Sequence, residues 1–164
     1  MLSKRQREEQ INRAFGHDLQ PEVMLYELQC HHVADTTYAR VAPATWGLQL
    51  CKWRESPRLP AILKALRAQN TEWATYILAA SLAQAAEDGH VELVKAILAV
   101  QAPHQPMQVW SNTRWARHSA LRVAAANGRK DCFEVLLASL DGSLGKTDEK
   151  LLRAILKMNT LEVL

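Results

Sequence analysis

The sequence predicts an all-α protein, and three observations carry that prediction. Glycine and proline number only 6 each in 164 residues, whereas alanine and leucine together make up more than a quarter of the chain. A β-sandwich or barrel needs a turn signal every 8–12 residues or so, and so few turn-formers cannot supply it. Apolar residues also recur every three or four positions, which is the spacing of one helix face. Hydrophobic residues at 48% and charged residues at 23% exclude wholesale disorder.

Four helices are predicted in the N-terminal part of the chain. They cover residues 3–15, 22–33 with Pro21 at the first helical position, 44–54 and 56–69, with a loop over 35–43. Thr71 is predicted to cap a fifth helix, because a threonine oxygen accepts hydrogen bonds from the first free backbone N–H groups. Trp46, Trp53 and Trp73 fall on helix stripes and are predicted to pack in the core.

The C-terminal part repeats itself. Residues 80–98 align without a gap on residues 119–137, and residues 152–164 form a weaker third copy. The aligned pairs are Leu82 with Leu121, Ala85-Ala86 with Ala124-Ala125, Gly89 with Gly128, and Glu92 with Asp131, and Asn159 replaces the glycine in the third copy. A recurring unit of this size indicates stacked helix pairs, since one pair cannot cover its own apolar face.

The aligned residues also predict the local structure of each copy. The Leu and Ala-Ala positions predict a short first helix with a nearly flat buried face, and the glycine predicts its end in a left-handed conformation. Leu93, Val94, Ile97 and Leu98 predict a second helix with a wide apolar stripe.

These segments resemble ankyrin repeats, whose usual pattern is T-P-L-H-x-A-A-x-x-G-H-x-E-I-V-x-L-L. The resemblance covers residues 80–164, about half of the chain, but the proline of the pattern is absent and Ala83 and Arg122 replace its histidine. It implies an ankyrin-like helical solenoid at residues 71–164, with an incomplete last copy. Residues 1–70 are a divergent helical region, either a degenerate repeat or a cap, and other paired-helix solenoids remain open there. The apolar ending with Leu161, Val163 and Leu164 favours a chain that continues further.

The segment between the two clear copies is the strongest candidate for a binding site. The step from Leu82 to Leu121 is 39 residues, and an ankyrin period is roughly 33. In an ankyrin-like stack, residues 100–118 are the β-hairpin between helix pairs, here called the finger. The predicted partner-binding residues are Met107, Trp110, Arg114, Trp115 and Arg117, since tryptophan and arginine are enriched at interaction hot spots. The alternative is that Trp110 or Trp115 folds back over the helix ends.

Two other motifs are interpreted as structural. Cys30-His31-His32, with Asp35 and Cys51, suggests a metal site or a nucleophile, but adjacent helical residues point about 100° apart. A helix end with a buried Cys30 and solvated histidines is predicted instead. Gly145-Lys146-Thr147 resembles the end of a phosphate-binding loop, but Leu140 stands where its first glycine belongs. No catalytic, metal-binding or cofactor-binding residue is predicted, and the chain is predicted not to be an enzyme.

The predicted function is a protein–protein interaction module of ankyrin-repeat type that binds a protein partner through its concave face and the finger. The alternative is a targeting or regulatory domain of a larger bacterial effector enzyme. A net charge of +3 is too small to predict nucleic-acid binding. The absence of a signal peptide or apolar span, and of paired cysteine motifs, predicts a cytoplasmic protein, or one delivered into a host cytosol if it is an effector.

Overall fold

The computed structural model describes residues 3–16, 19–69, 71–100, 107–140 and 144–163, with the backbone alone at residues 34, 107–114 and 161–163. Every regular element in these ranges is a helix, which confirms the predicted all-α class there. The α-helices are α1 (Lys4–Phe15), α2 (Pro21–Cys30), α3 (Pro43–Lys52), α4 (Leu59–Ala68), α5 (Glu72–Asp88), α6 (Val91–Val100), α7 (Met107–Ala126), α8 (Lys130–Ser139) and α9 (Lys146–Val163). None of the helices in the described ranges is long and apolar enough to span a bilayer.

The chain forms two compact units, residues 1–81 and 82–164. In the first unit, α2 ends three residues before the predicted end, and the predicted loop over 35–43 contains a 3-10 helix, Thr37–Arg40. Another 3-10 helix, Val33–Asp35, follows α2 and directs the side chain of Val33 into the core, where it is 1% exposed. Burial of Val33 therefore needs a change of chain direction, which a continuous α2 could not provide.

An aromatic cluster organises the core of the first unit. Trp46 of α3 is fully buried, and its ring meets that of Phe15 in an edge-to-face arrangement with a 5.0 Å centroid separation. Tyr38, from the second 3-10 helix, contacts the same indole at 6.4 Å. Such pairs add about 0.5–1.5 kcal/mol beyond area burial. The predicted core positions of Trp46 and Trp53 are confirmed, and Trp73 is half-buried.

Helix α5 of the first unit begins as predicted and approaches α3 closely. The Thr71 hydroxyl accepts a hydrogen bond from the backbone N–H of Ala74 (3.1 Å), which confirms the cap. At Gly47 of α3, a Cβ atom would lie only 2.9 Å from the carbonyl oxygen of Ala80. The two helices can pack this closely because residue 47 has no side chain.

The end of α2 is held by one side chain, Gln69. Its amide nitrogen donates to the carbonyl oxygens of Leu28 and His31, both at 3.2 Å, and its oxygen accepts from the N–H of Val33 at 3.0 Å. The last carbonyls of a helix lack partners within the helix. Gln69 donates to one such carbonyl, that of Leu28, and to the carbonyl of His31 just after the helix, and so fixes the turn that buries Val33.

We expect Gln69→Ala to lower the free energy of unfolding by about 1 kcal/mol, because a typical hydrogen bond contributes about 0.5–1.5 kcal/mol and this site is partly solvated. Gln69→Glu keeps the size but has only acceptors, so it should be at least as destabilising at neutral pH. Urea unfolding followed by circular dichroism measures both. If Gln69→Glu had the wild-type free energy of unfolding, the packing of the side chain rather than its hydrogen bonds would stabilise this turn.

In the second unit, the repeated residues occupy equivalent environments. Side chains at the Leu and Ala-Ala positions of both clear copies are all 0% exposed, as predicted. Gly89 and Gly128 both have positive φ, at 80° and 67°, which confirms the predicted helix ends. The residue after each glycine donates its backbone N–H to a carbonyl oxygen of the last helical turn. His90 donates to Ala85 and Arg129 donates to Ala124, both at 2.9 Å. Both glycines thus end their helices in the Schellman arrangement.

The prediction of short first helices is wrong. Helix α5 has 17 residues and α7 has 20. Proline is favoured at a helix start because its ring fixes φ and it has no N–H to leave unpaired. Neither copy contains the proline of the ankyrin pattern, so nothing in the sequence starts the helix at the repeat boundary and each helix extends towards the N-terminus.

The prediction for the third copy is also wrong in its local structure. Asn159 does not end a helix, because α9 runs without a break from Lys146 to Val163. Its side-chain amide donates to the carbonyl oxygens of Ile155 (2.9 Å) and Ala125 (3.3 Å), so it is fully compatible with a helical backbone. Helix α9 begins at Lys146, and Asp148 and Glu149 lie in its first turn.

Corresponding regions of successive copies contact each other in the second unit. The closest neighbour of a Cβ at Gly89 would be the Arg129 side chain at 3.1 Å, and at Gly128 it would be the Asn159 backbone at 3.0 Å. The Arg129 side chain also donates to the carbonyl oxygen of Glu87 (2.9 Å). Asn159 is the position that matches Gly128, whereas Arg129 lies one residue after the position that matches Gly89. Each glycine turn therefore packs within one residue of the matching position of the next copy.

Candidate protein-binding surface

The predicted finger is wrong from residue 107 onward, because Met107–Ala126 is one α-helix. Residues 101–106 of the predicted finger lie outside the described residues. The sequence contains no glycine or proline between residue 107 and the turn at Gly128, so no hairpin turn interrupts it. The hairpin was expected from the period of the ankyrin pattern, whereas the residues from 107 onward favour a helix.

Trp115 is a large hydrophobic residue of α7 with 68% of its surface accessible. A side chain folded back over the helix ends, the alternative predicted for it, would be more covered than this. The neighbouring Ala116 and Ala120 are buried and fix α7 against the unit. Arg122, two turns further along the helix, is exposed on the same side. The outer surface of α7 thus presents an indole and a guanidinium on a rigid support.

Arg117 has a structural contact. Its Nη1 donates to the carbonyl oxygen of Ser139 (3.1 Å), the last residue of α8. A cation at a helix C-terminus satisfies a carbonyl that has no partner within the helix and interacts favourably with the helix dipole. Arg117 therefore joins α7 to the end of α8, and its predicted contact with a partner stays a prediction.

The other three predicted partner-binding residues, Met107, Trp110 and Arg114, lie in the first two turns of α7, where the structure describes the backbone alone. Their side chains lie outside the described residues. All five predicted residues therefore belong to one helix rather than to a hairpin. A helix holds side chains in a more fixed arrangement than a loop does.

The Cys30-His31-His32 segment borders an open groove of about 400 Å³, which Ala65 and Ala68 also line. The described residues contain no group of three His, Cys, Asp or Glu side chains placed to hold a metal ion. The predicted burial of Cys30 is wrong, since the thiol is exposed. Leu28 carries the buried stripe of α2, and a residue two positions later points to the opposite side of a helix.

The other cysteines and the Gly145-Lys146-Thr147 segment do not form a reactive site. Cys51 and Cys132 are buried, and burial raises the pKa of the Cys132 thiol, which disfavours the reactive thiolate. Lys146 begins α9, and the element before this segment is helix α8 rather than the strand that a phosphate-binding loop requires.

Comparison of the chain with protein-family models, with curated proteins and with solved structures finds no match. The resemblance to ankyrin repeats thus continues to rest on the residues of 80–164 themselves. The surface around Trp115 remains the strongest candidate for function, because it combines high exposure with a residue type that is common at binding hot spots.

Proposed function

We propose that the chain is a protein-interaction module that binds a protein partner through the outer surface of α7 around Trp115. The exposure of Trp115 carries this proposal. Full burial of an aromatic side chain of this size removes about 150–250 Å² of surface from water, which makes an exposed tryptophan a strong anchor once a partner covers it. Tryptophan is also among the residues most enriched where alanine substitution weakens binding most.

The support beneath Trp115 favours the same proposal. Ala116, Ala120 and Leu121 are 0–2% exposed, so α7 is packed along the side opposite Trp115. A contact surface that is ordered before binding loses less conformational entropy when the partner docks. Exposed Arg122, two turns along the same side of α7, can add a planar cation suited to carboxylates or aromatic faces of a partner.

We also propose that the second unit stacks its copies in the ankyrin manner, as the resemblance implies. The contacts of Gly89 with Arg129 and of Gly128 with Asn159 support this, because in a stacked array each repeat contacts the next, and these contacts fall within one residue of the aligned positions. The long α5 and α7 distinguish these copies from the usual ankyrin pattern. The proposed contact surface is one helix face, narrower than the concave face and finger predicted from the sequence.

Site-specific photo-crosslinking tests the proposal. A benzophenone amino acid replaces Trp115 in the full chain, which is expressed in its source cells and irradiated. The matched control places the same amino acid at Tyr26, an aromatic residue with 63% exposure in the first unit. We expect a discrete protein adduct at position 115 and none at position 26. Equal labelling at both positions, or none at 115, would overturn the proposal.

We expect Trp115→Ala to weaken binding of the crosslinked partner at least tenfold, measured by calorimetry with the purified partner. Its thermal stability should stay close to wild type, because substitutions of exposed residues usually change the free energy of unfolding by less than about 0.5 kcal/mol. Tyr26→Ala should leave the affinity unchanged. Unaltered binding together with a large loss of stability would assign Trp115 to the fold instead.

A further inference from the structure

Helix α9 exposes apolar side chains that the fold does not use. Leu151 and Met158 are 60% and 64% exposed, and Ala154, between them, is also exposed. Residues at these spacings share one side of a helix. We call Leu151, Ala154 and Met158 the α9 stripe. Other apolar residues of α9 pack against the rest of the unit, so the α9 stripe takes no part in that packing.

The packed side of α9 consists of other residues. Leu152 and Leu156 are 8% and 7% exposed, and Asn159 hydrogen bonds to Ala125 of α7. In the repeat alignment, Leu151 corresponds to Ala120, which is 0% exposed. The position is therefore covered in the preceding copy and open in α9. The α9 stripe is therefore a second apolar side of the helix, separate from its packed side.

A row of cations runs beside the α9 stripe. Lys146, Lys150 and Lys157 are exposed and follow helical spacing along one side of α9. No ion pair involves these three lysines within the part of the chain that the structure describes. Arg153, in the same row, pairs instead with Glu134 (2.7 Å) and Glu149 (3.1 Å), and these hydrogen bonds raise the pKa of its guanidinium.

We propose that the α9 stripe and this lysine row dock an acidic amphipathic helix of a protein partner. A large apolar side chain of that helix would sit over Ala154, between Leu151 and Met158, which are about 10.5 Å apart along the axis at a rise of about 1.5 Å per residue. Glutamate or aspartate on the flank of the same helix would face the lysines. This surface consists of residues other than Trp115, so it can be tested separately from the proposed function.

Charge complementarity favours this partner over a second copy of the chain. In a symmetric antiparallel pair of α9 helices, each flank faces the same flank of the other helix, so lysine row would face lysine row. Like charges placed opposite each other oppose association. An acidic helix instead converts each lysine contact into an attraction that steers the encounter.

A display selection tests the chemistry of the partner directly. A library of helical peptides with apolar and charged residues varied at every position is selected against the full chain. We expect enriched peptides to carry large apolar residues two turns apart and an excess of glutamate and aspartate on one flank. Their binding should fall at least tenfold with Leu151→Glu/Met158→Glu and with Lys150→Glu/Lys157→Glu.

Matched variants separate this site from general charge effects. Lys64→Glu/Lys130→Glu changes the net charge equally at exposed lysines outside α9 and should keep binding. A peptide with its acidic residues changed to lysine should bind Lys150→Glu/Lys157→Glu better than it binds the wild-type chain. Trp115→Ala should not alter peptide binding. The α7 proposal can therefore fail while peptide binding to α9 persists, and the reverse also holds.

Four outcomes would overturn the proposal. Two concern the selection, which would enrich no peptides or enrich peptides without acidic residues. The other two concern a different occupant. They are concentration-dependent dimerisation, or binding to vesicles of phosphatidylserine and phosphatidylcholine, that Leu151→Glu/Met158→Glu abolishes. Circular dichroism of each variant confirms that α9 is intact. Leu151 and Met158 are mostly exposed, so both variants should fold.

Discussion

Replacing Gly128 by alanine should lower the free energy of unfolding by about 2–5 kcal/mol. Residue 128 has φ of 67°, and the left-handed region costs an L-residue about 1–2 kcal/mol. In addition, the new Cβ would lie 3.0 Å from the backbone of Asn159. Displacing packed backbone adds about 1–3 kcal/mol, since the neighbouring helix must move as a whole.

Gly89→Ala is the matched control for this substitution. Gly89 ends the equivalent helix with φ of 80°, but the closest atom to its new Cβ would be Cδ of Arg129 at 3.1 Å, on a flexible side chain. We therefore expect a loss of only about 1–2 kcal/mol, from the backbone conformation alone. Urea unfolding followed by circular dichroism measures both variants. Equal losses would show that the Asn159 contact contributes nothing.

Gly47→Ala should lower the free energy of unfolding by up to about 2 kcal/mol, because overpacking costs about 1–3 kcal/mol and the better helix preference of alanine offsets only part of it. Alanine in a helix interior gains about 1 kcal/mol over glycine. At residue 47, however, the Cβ would lie 2.9 Å from the carbonyl oxygen and 3.1 Å from the carbonyl carbon of Ala80. Because both atoms are backbone, α3 and α5 must separate, and that separation exposes the core around Trp46.

Gly145→Ala is the control for Gly47→Ala. Residue 145 lies outside the left-handed region, and the closest atom to its new Cβ would be Oδ2 of Asp148 at an ordinary 3.7 Å. We expect a change below about 0.5 kcal/mol, because a less flexible unfolded chain offsets the poorer preference of alanine at a helix start. Stabilisation by Gly47→Ala would contradict the close approach of α3 and α5.

The sequence predicted the helical elements well where local signals agreed. The Thr71 cap, the glycine ends at Gly89 and Gly128, and the buried Leu and Ala-Ala positions depend on neighbouring residues and helix periodicity, and all are confirmed. The errors came from transferring a pattern from one place to another. The finger over 100–118 was expected from the ankyrin period and the break at Asn159 from the alignment of the third copy, whereas the residues themselves favour continuous helices in α7 and α9.

The candidate surfaces were only partly predictable. Trp115 was identified from its residue type, but its exposure depends on how α7 is oriented. The α9 stripe was missed, although the spacing of Leu151, Ala154 and Met158 beside Lys150 and Lys157 is visible in the sequence. A helix with two apolar sides gives no sign of which one is buried, and contacts with α7 determine that choice.

The sequence by itself determined the all-α class, the cap at Thr71, the helix ends at Gly89 and Gly128, and the equivalence of the two clear copies, because capping, glycine conformation and helix periodicity act over a few residues. Tertiary structure alone decided which side chains join helices that are distant in the sequence. Gln69 holds the end of α2, Arg117 the end of α8, and Asn159 the end of α7. Helix ends leave carbonyls without partners, and a polar residue far along the chain can satisfy them only once packing has brought it there.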